Sequence, residues 1–278
     1  MSQICVAREI DRFVRTGDYD VLFRGWPGRH TLESIELGSQ TLSDALLKEV
    51  RRREAEVSPN LIASPSGDEL IAFTRAKVEP MVRGLFSRKE AEPVLALLER
   101  SVVFLTPEHI GTHLQKADLD NAWGIADMYL GSIGAQRLDP QARRAVGFSA
   151  ETTCYVSLEY FSDDHPFADY VVHETAHMFH NNKRRTIGLP ATRRRQWLLS
   201  IEFAKRETFA YACEAYSRIL GRAKRPAERS ALLDEVRQYP LPPTDQVDRD
   251  EYIAILREAV ARRNGWKAIL EACSSSRS

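Results

Sequence analysis

Two histidines, His173 and His177, stand four residues apart in the run His173-Glu174-Thr175-Ala176-His177. On an α-helix this spacing puts both imidazoles on one face, about 40° apart around the axis, so the rings can converge on one ion. Glu174 lies beside that face, close enough to reach a water on the same ion. Zinc lowers the pKa of such a water toward neutrality, and a neighbouring carboxylate can take its proton. The hydroxide left behind can attack a carbonyl that the metal polarises. The residue types therefore call for Zn2+ on His173 and His177, with Glu174 as general base. Apolar flanks, Val171-Val172 and Met178-Phe179, put the run inside a buried helix.

Other chemistry-bearing residues read less sharply. His180 shares the face of His173 and His177, but three successive turns do not converge easily on one ion, so it is a supporting or structural histidine. His109 and His113 repeat the spacing after Pro107 without a glutamate between them, and read as surface or core histidines. Tyr160, Tyr211 and Tyr216 are candidates to stabilise an oxyanion, though each also reads as a packed aromatic. The clusters Lys183-Arg184-Arg185 and Arg193-Arg194-Arg195 read as solvated helix ends, with attraction of an acidic substrate or nucleic acid as the alternative.

Several elements must position the motif. Ser101-Val-Val-Phe-Leu105 suits a buried strand, followed by a helix with Pro107 in its first turn. Residues 119–131 form a core helix, and strand-like runs lie near 144–149 and 153–160. Capping residues and proline in Ser162-Asp-Asp-His-Pro166 mark the start of the motif's helix, which runs to about Asn181. A long helix is expected over 192–220, then helices over 226–237 and 248–272. Upstream, helical periodicity occupies 41–56, 67–79 and 88–99, with irregular chain over 17–40. This divides the chain into a mostly helical region of unassigned role, 1–100, and a domain over 101–278 that carries the motif.

The motif residues 172–179 resemble the zincins, metallopeptidases built around HExxH on an active-site helix. The resemblance spans at most 100–220. It implies an α+β zincin-like fold, a small mixed sheet packed on the HExxH helix with a largely helical remainder. It also implies that the strand before the helix, 153–160 here, is an edge along which peptide substrate pairs. Tyr170 departs mildly from the family's small or β-branched residue. The metzincin branch wants a glycine and a histidine where His180 and Lys183 stand, which excludes it. The gluzincin branch takes a glutamate from a later helix. Glu202, Glu207 and Glu214 all fall in the expected 192–220 helix, and Glu207 is favoured because Ala204 and Ala210 flank it and allow close helix approach. Glu214 would then accept an N–H from a ligand histidine. The order of elements is also similar to that of the ImmA/IrrE-type peptidases. The implied activity is zinc-dependent hydrolysis of a protein or peptide substrate. The rivals are a non-proteolytic regulatory protein that keeps the scaffold, and a nucleic-acid-associated factor using the arginine clusters.

Composition sets outer bounds. The 278 residues are 43% hydrophobic and 28% charged, ordinary for a globular protein. Basic and acidic side chains balance at 39 each, which gives no overall pull toward nucleic acid or an anionic membrane. Cys5, Cys154, Cys213 and Cys273 are far apart and form no disulfide framework or cysteine metal site. With no apolar run long enough for a span and no signal-like N-terminus, a cytoplasmic location without membrane contact is expected.

Overall fold

The computed structural model describes residues 2–57, 66–141, 146–150, 152–162 and 165–274. It is a mixed α+β protein, mostly helical, with one small sheet. In chain order the helices and strands are α1 (Ser2–Thr16), α2 (Thr31–Glu54), α3 (Gly67–Leu85), α4 (Arg88–Ser101), β1 (Val102–Phe104), α5 (Ile110–Lys116), α6 (Leu119–Ser132), β2 (Gly147–Ala150), β3 (Thr153–Val156), α7 (Tyr170–Asn181), α8 (Arg206–Arg222), α9 (Pro226–Val236), α10 (Arg249–Ala261) and α11 (Gly265–Cys273). No helix of the described residues is long and apolar enough to cross a membrane.

Two compact units divide the chain, and neither is continuous in sequence. The first comprises Met1–Ser64, Phe104–Val146 and Ser157–Ser162; the second comprises Pro65–Val103, Gly147–Val156 and Asp163–Ser278. The boundary drawn near residue 100 thus falls inside a stretch of the second unit, and α3 and α4 share that unit with the motif. Within the first unit, α2 packs on α1, α5 and α6. Its core includes Phe13, Leu42, Leu46, Ile125 and Tyr129, and the Tyr129 hydroxyl donates to Glu54 at 2.6 Å.

In the second unit α7 packs on α8, α3, β2 and β3. The strand order is β1-β3-β2, with β2 antiparallel to β3 from Gly147↔Val156 to Ala150↔Thr153. The expected edge strand is therefore the middle one, and β2 is an edge. The strand also stops at Val156 instead of reaching Tyr160. The Ser157 hydroxyl accepts the Glu159 N–H at 3.1 Å and its carbonyl accepts that of Tyr160, which turns the chain into a 3-10 segment, Leu158–Ser162.

Other boundaries also move. Asp163 and Asp164 of the expected helix start lie outside the described residues, as do 144 and 145 of the first strand-like run. The helix itself begins at Tyr170, because the side chain of Asp169 accepts the Val172 N–H and supplies the cap. Upstream, His165 Nδ1 accepts the N–H groups of Phe167 and Ala168 at 3.2 and 3.0 Å. Pro107 precedes α5 by a turn: the Thr106 carbonyl takes the His109 and Ile110 amides.

Residues 192–205 form no α-helix, only a short 3-10 turn over Phe203–Lys205. Their amides bond to distant carbonyls, Leu198 to Asn182, Leu199 to Phe179 and Glu202 to Cys273, so no i−4 ladder forms before Arg206. The expected 248–272 helix is two helices, because Asn264 caps α11 and its amide also donates to the Gly84 carbonyl. Conversely, α2 reaches back to Thr31, well into the stretch expected to be irregular.

Candidate metal centre

α7 is buried nearly all round, with Val171, Val172, Ala176, Met178 and Phe179 in the core. His173 and Glu174 are each 8% exposed. From the neighbouring helix, Ala210, Ala212 and Ala215 are buried and let α8 approach closely. Ala204, expected to help, lies in an exposed 3-10 turn instead. Glu207 in the first turn of α8 then reaches the histidine pair.

The convergence is close. His173 Nε2 and His177 Nε2 are 3.2 Å apart. Glu207 places one oxygen 3.8 Å from His173 Nε2 and the other 3.5 Å from His177 Nε2. A tetrahedral ion with bonds of about 2.0–2.1 Å separates its ligand atoms by roughly 3.3 Å, close to these spacings. The group His173, His177 and Glu207 could therefore hold a metal ion. Glu202, the competing glutamate, is exposed at the start of the 3-10 turn and outside this group.

The protonation pattern fits the same conclusion. His173 Nδ1 lies 3.2 Å from Glu214 Oε2, and Glu214 is 6% exposed. The carboxylate accepts the Nδ1 proton, which leaves the Nε2 lone pair facing the centre. His177 Nδ1 lies 3.4 Å from His180 Nε2. Burial, with the charges of His177 and Arg206, pushes His180 down to about 3, so it is neutral and can accept the His177 Nδ1 proton. Once the Nε2 protons are lost, two lone pairs and a carboxylate would face one another at close range, a donor set that a bound cation would compensate.

Charge in the group is finely opposed. Burial disfavours a charged His173, but the Glu214 hydrogen bond and the charges of Glu214, Glu174 and Glu207 overcome it and raise its pKa. The His177 hydrogen bond, against burial, lowers the pKa of Glu207. Glu174 sits under β2, where a Cβ added at Gly147 would lie 3.7 Å from Glu174 Cγ. Its charge, after burial, also helps raise the Cys154 thiol. Cys154, Cys213 and Cys273 are buried free thiols.

The remaining candidates separate clearly. Tyr211 packs edge-on against His173, with ring centroids 4.5 Å apart. Tyr216 is buried against Trp266, its hydroxyl at the Gly265 backbone. Tyr160 packs on Phe104 and Phe161. The basic clusters are not uniformly solvated: Arg184 is 1% exposed and pairs with Glu90, as does Arg195. The sequence reading missed Asp169, whose position before an apolar helical run is a cap signal. It also missed Lys77, on α3, which no local signal connects to the motif. Comparison with family models, curated proteins and solved structures finds no match to this chain.

Proposed function

We propose that the chain is a zinc-dependent metallopeptidase of gluzincin-like type, with His173, His177 and Glu207 as metal ligands and Glu174 as general base. The observation that carries this reading is the ligand triad, whose atoms all lie within 4.8 Å of one another, with Glu174 adjacent to its first member. Zinc held there would supply a water of near-neutral pKa and polarise a substrate carbonyl. Glu174 is the carboxylate that would hold and move a proton at this centre, as general base and then general acid toward the leaving amine. Glu214 and His180 fix the tautomers of the two histidines, so that each presents Nε2. Tyr211 packs on His173 with its hydroxyl 3.5 Å from Gln246 Oε1, and would donate to a developing oxyanion by turning from that contact.

Substrate would lie along β2, not β3, because β2 is an edge strand and, of the two edges, the one that borders Glu174. The Ser149 hydroxyl donates to the Glu174 carbonyl at 3.4 Å, and α7 packs on the same strand. An extended peptide added at that edge would place its carbonyls in line beside the general base.

The test combines metal analysis with proteolysis. Purified protein should carry about one zinc per chain and cleave members of a peptide library, with cleavage abolished by chelation and restored by zinc. Protein that takes up no zinc at micromolar free metal, or that holds zinc but cleaves nothing in a diverse proteome-derived library, would count against this function.

A further inference from the structure

We propose that Lys77, on α3, is a positioning residue for the metal centre, acting through Asp169 and Glu214 on the ligand His173. The inference rests on the metal-binding reading above and extends it to a helix from the stretch of sequence that carried no assigned role. Lys77 Nζ lies 2.9 Å from Asp169 Oδ2. Asp169 is 1% exposed, and its other carboxylate oxygen accepts the Val172 N–H at 3.4 Å as the cap of α7. Its backbone N–H donates to Glu214 Oε1 at 2.6 Å. The second oxygen of Glu214 lies 3.2 Å from His173 Nδ1. An ordered set of contacts thus runs from an ammonium on α3, through the cap of α7 and a carboxylate on α8, to a ligand imidazole.

Each link has a physical task. Glu214 has one oxygen on the α7 cap and one on His173, so the cap's position sets the carboxylate's position. The cap in turn depends on a buried anion, and a buried carboxylate without a counter-charge is strongly disfavoured. Asp169, Glu174, Glu207 and Glu214 concentrate negative charge around α7. Lys77 supplies positive charge at the Asp169 end, and its ammonium also lies over the Phe73 ring, 5.6 Å from the centroid. The packing of α3 on both α7 and α8 holds this geometry. Removing the Lys77 charge takes away the ammonium that meets Asp169 Oδ2, so the cap and Glu214 shift together and His173 loses its fixed orientation.

The test measures zinc affinity of the full chain by competition with a chromophoric chelator, with apo-protein melting followed in parallel. Lys77→Met should weaken zinc binding about ten-fold, the low end for a group supporting a ligand, and Lys77→Arg should stay within about three-fold of wild type. Asp169→Asn keeps a competent cap but removes the anion Lys77 compensates. In that background Lys77→Met should have no further effect on affinity, a coupling that general destabilisation would not produce. Lys77→Gln carries the same comparison where Lys77→Met does not fold. Unchanged affinity in the Lys77 variants, or full additivity with Asp169→Asn, overturns the proposal while wild-type zinc binding that His173→Ala abolishes leaves the metal site standing. No zinc bound by wild type defeats the metal-site reading, and the proposal with it.

Discussion

The chain contains two His-x-x-x-His pairs, and among the described residues the pair on α7 is the one that joins a group able to hold a metal ion. His173 and His177 lie within α7, buried or half-buried, each with Nδ1 against an acceptor and Nε2 against the other. His109 stands at the N-cap of α5, its side chain 54% exposed, with Nε2 3.7 Å from the carboxylate of Glu108. His113 is partly buried, and that burial, aided by the charges of His109 and Lys116, lowers its pKa. Among the described residues, the group that converges as a metal site is His173, His177 and Glu207. Spacing places two rings on one face. What sets the α7 pair apart is the rest: an acceptor behind each Nδ1, and a carboxylate delivered by a second helix.

The sharpest way to break this contrast is to remove each pair. His173→Ala with His177→Ala should abolish stoichiometric zinc binding, while His109→Ala with His113→Ala should leave it unchanged, both read by equilibrium dialysis and elemental analysis. Equal retention in both double variants would show that the spacing in α7 carries no metal. Glu174→Gln comes next. It preserves shape and zinc content but cannot accept the proton, so peptide cleavage should fall about 10²–10⁴-fold. A Gln variant as active as wild type would remove Glu174 from the chemistry.

Glu207→Ala sharpens the contrast further, because it removes from α7 the carboxylate that a second helix supplies. Zinc affinity should fall more than the roughly 10–100-fold expected for a residue that only supports a ligand. Glu202→Ala should leave it unchanged, since Glu202 lies outside the converging group. A larger loss with Glu202→Ala in the same chelator competition would reverse the ligand assignment.

How much of this was legible in the sequence follows from the range of each interaction. The motif on α7, the core helix α6 and the Glu207 face of α8 are written in local periodicity, and they stand in the structure. The Glu214 contact was also legible, because seven residues are about two turns and return it to the Glu207 face. Boundaries governed by long-range hydrogen bonds were not. Nothing near residue 192 shows that Leu198, Leu199 and Glu202 bond to Asn182, Phe179 and Cys273. The same limit hid the strand order: β3 has the strongest strand composition, yet its position between β1 and β2 is a property of the sheet. Lys77 and Glu90 were invisible for this reason too, being 92 and 94 residues from the partners they meet.

The smallest expected effect concerns how the end of α7 is held, and it separates scaffold from site. α5 runs straight into Asp118, the cap of α6, whereas α7 is followed by Arg184, a buried guanidinium that donates to the Pro190 carbonyl at 2.7 Å and pairs with Glu90. Glu90 also closes the capping box of α4 with Ser87 and takes Arg195 at 3.1 Å. Burial works to raise its pKa, but the hydrogen bond from Arg184, the Ser87 contacts and the Arg195 charge overcome it and hold the carboxyl at about 2. A pKa lowered on folding means that the unfolded chain binds the proton more tightly. The stabilisation is therefore full above the ordinary carboxylate value, about 4.5, and is lost as pH falls toward about 2. Glu90→Gln keeps the capping box but leaves Arg184 without its counter-charge, and should cost about 2–3 kcal/mol at neutral pH. Urea midpoints measured from pH 7 downward should show the gap between wild type and variant narrowing through that window and closing near its acid end. Zinc content at neutral pH should be unchanged in the variant, because Glu90 touches no ligand. A gap that stays constant with pH would show that the Glu90 charge contributes nothing to stability and that its hydrogen bonds alone hold the segment after α7.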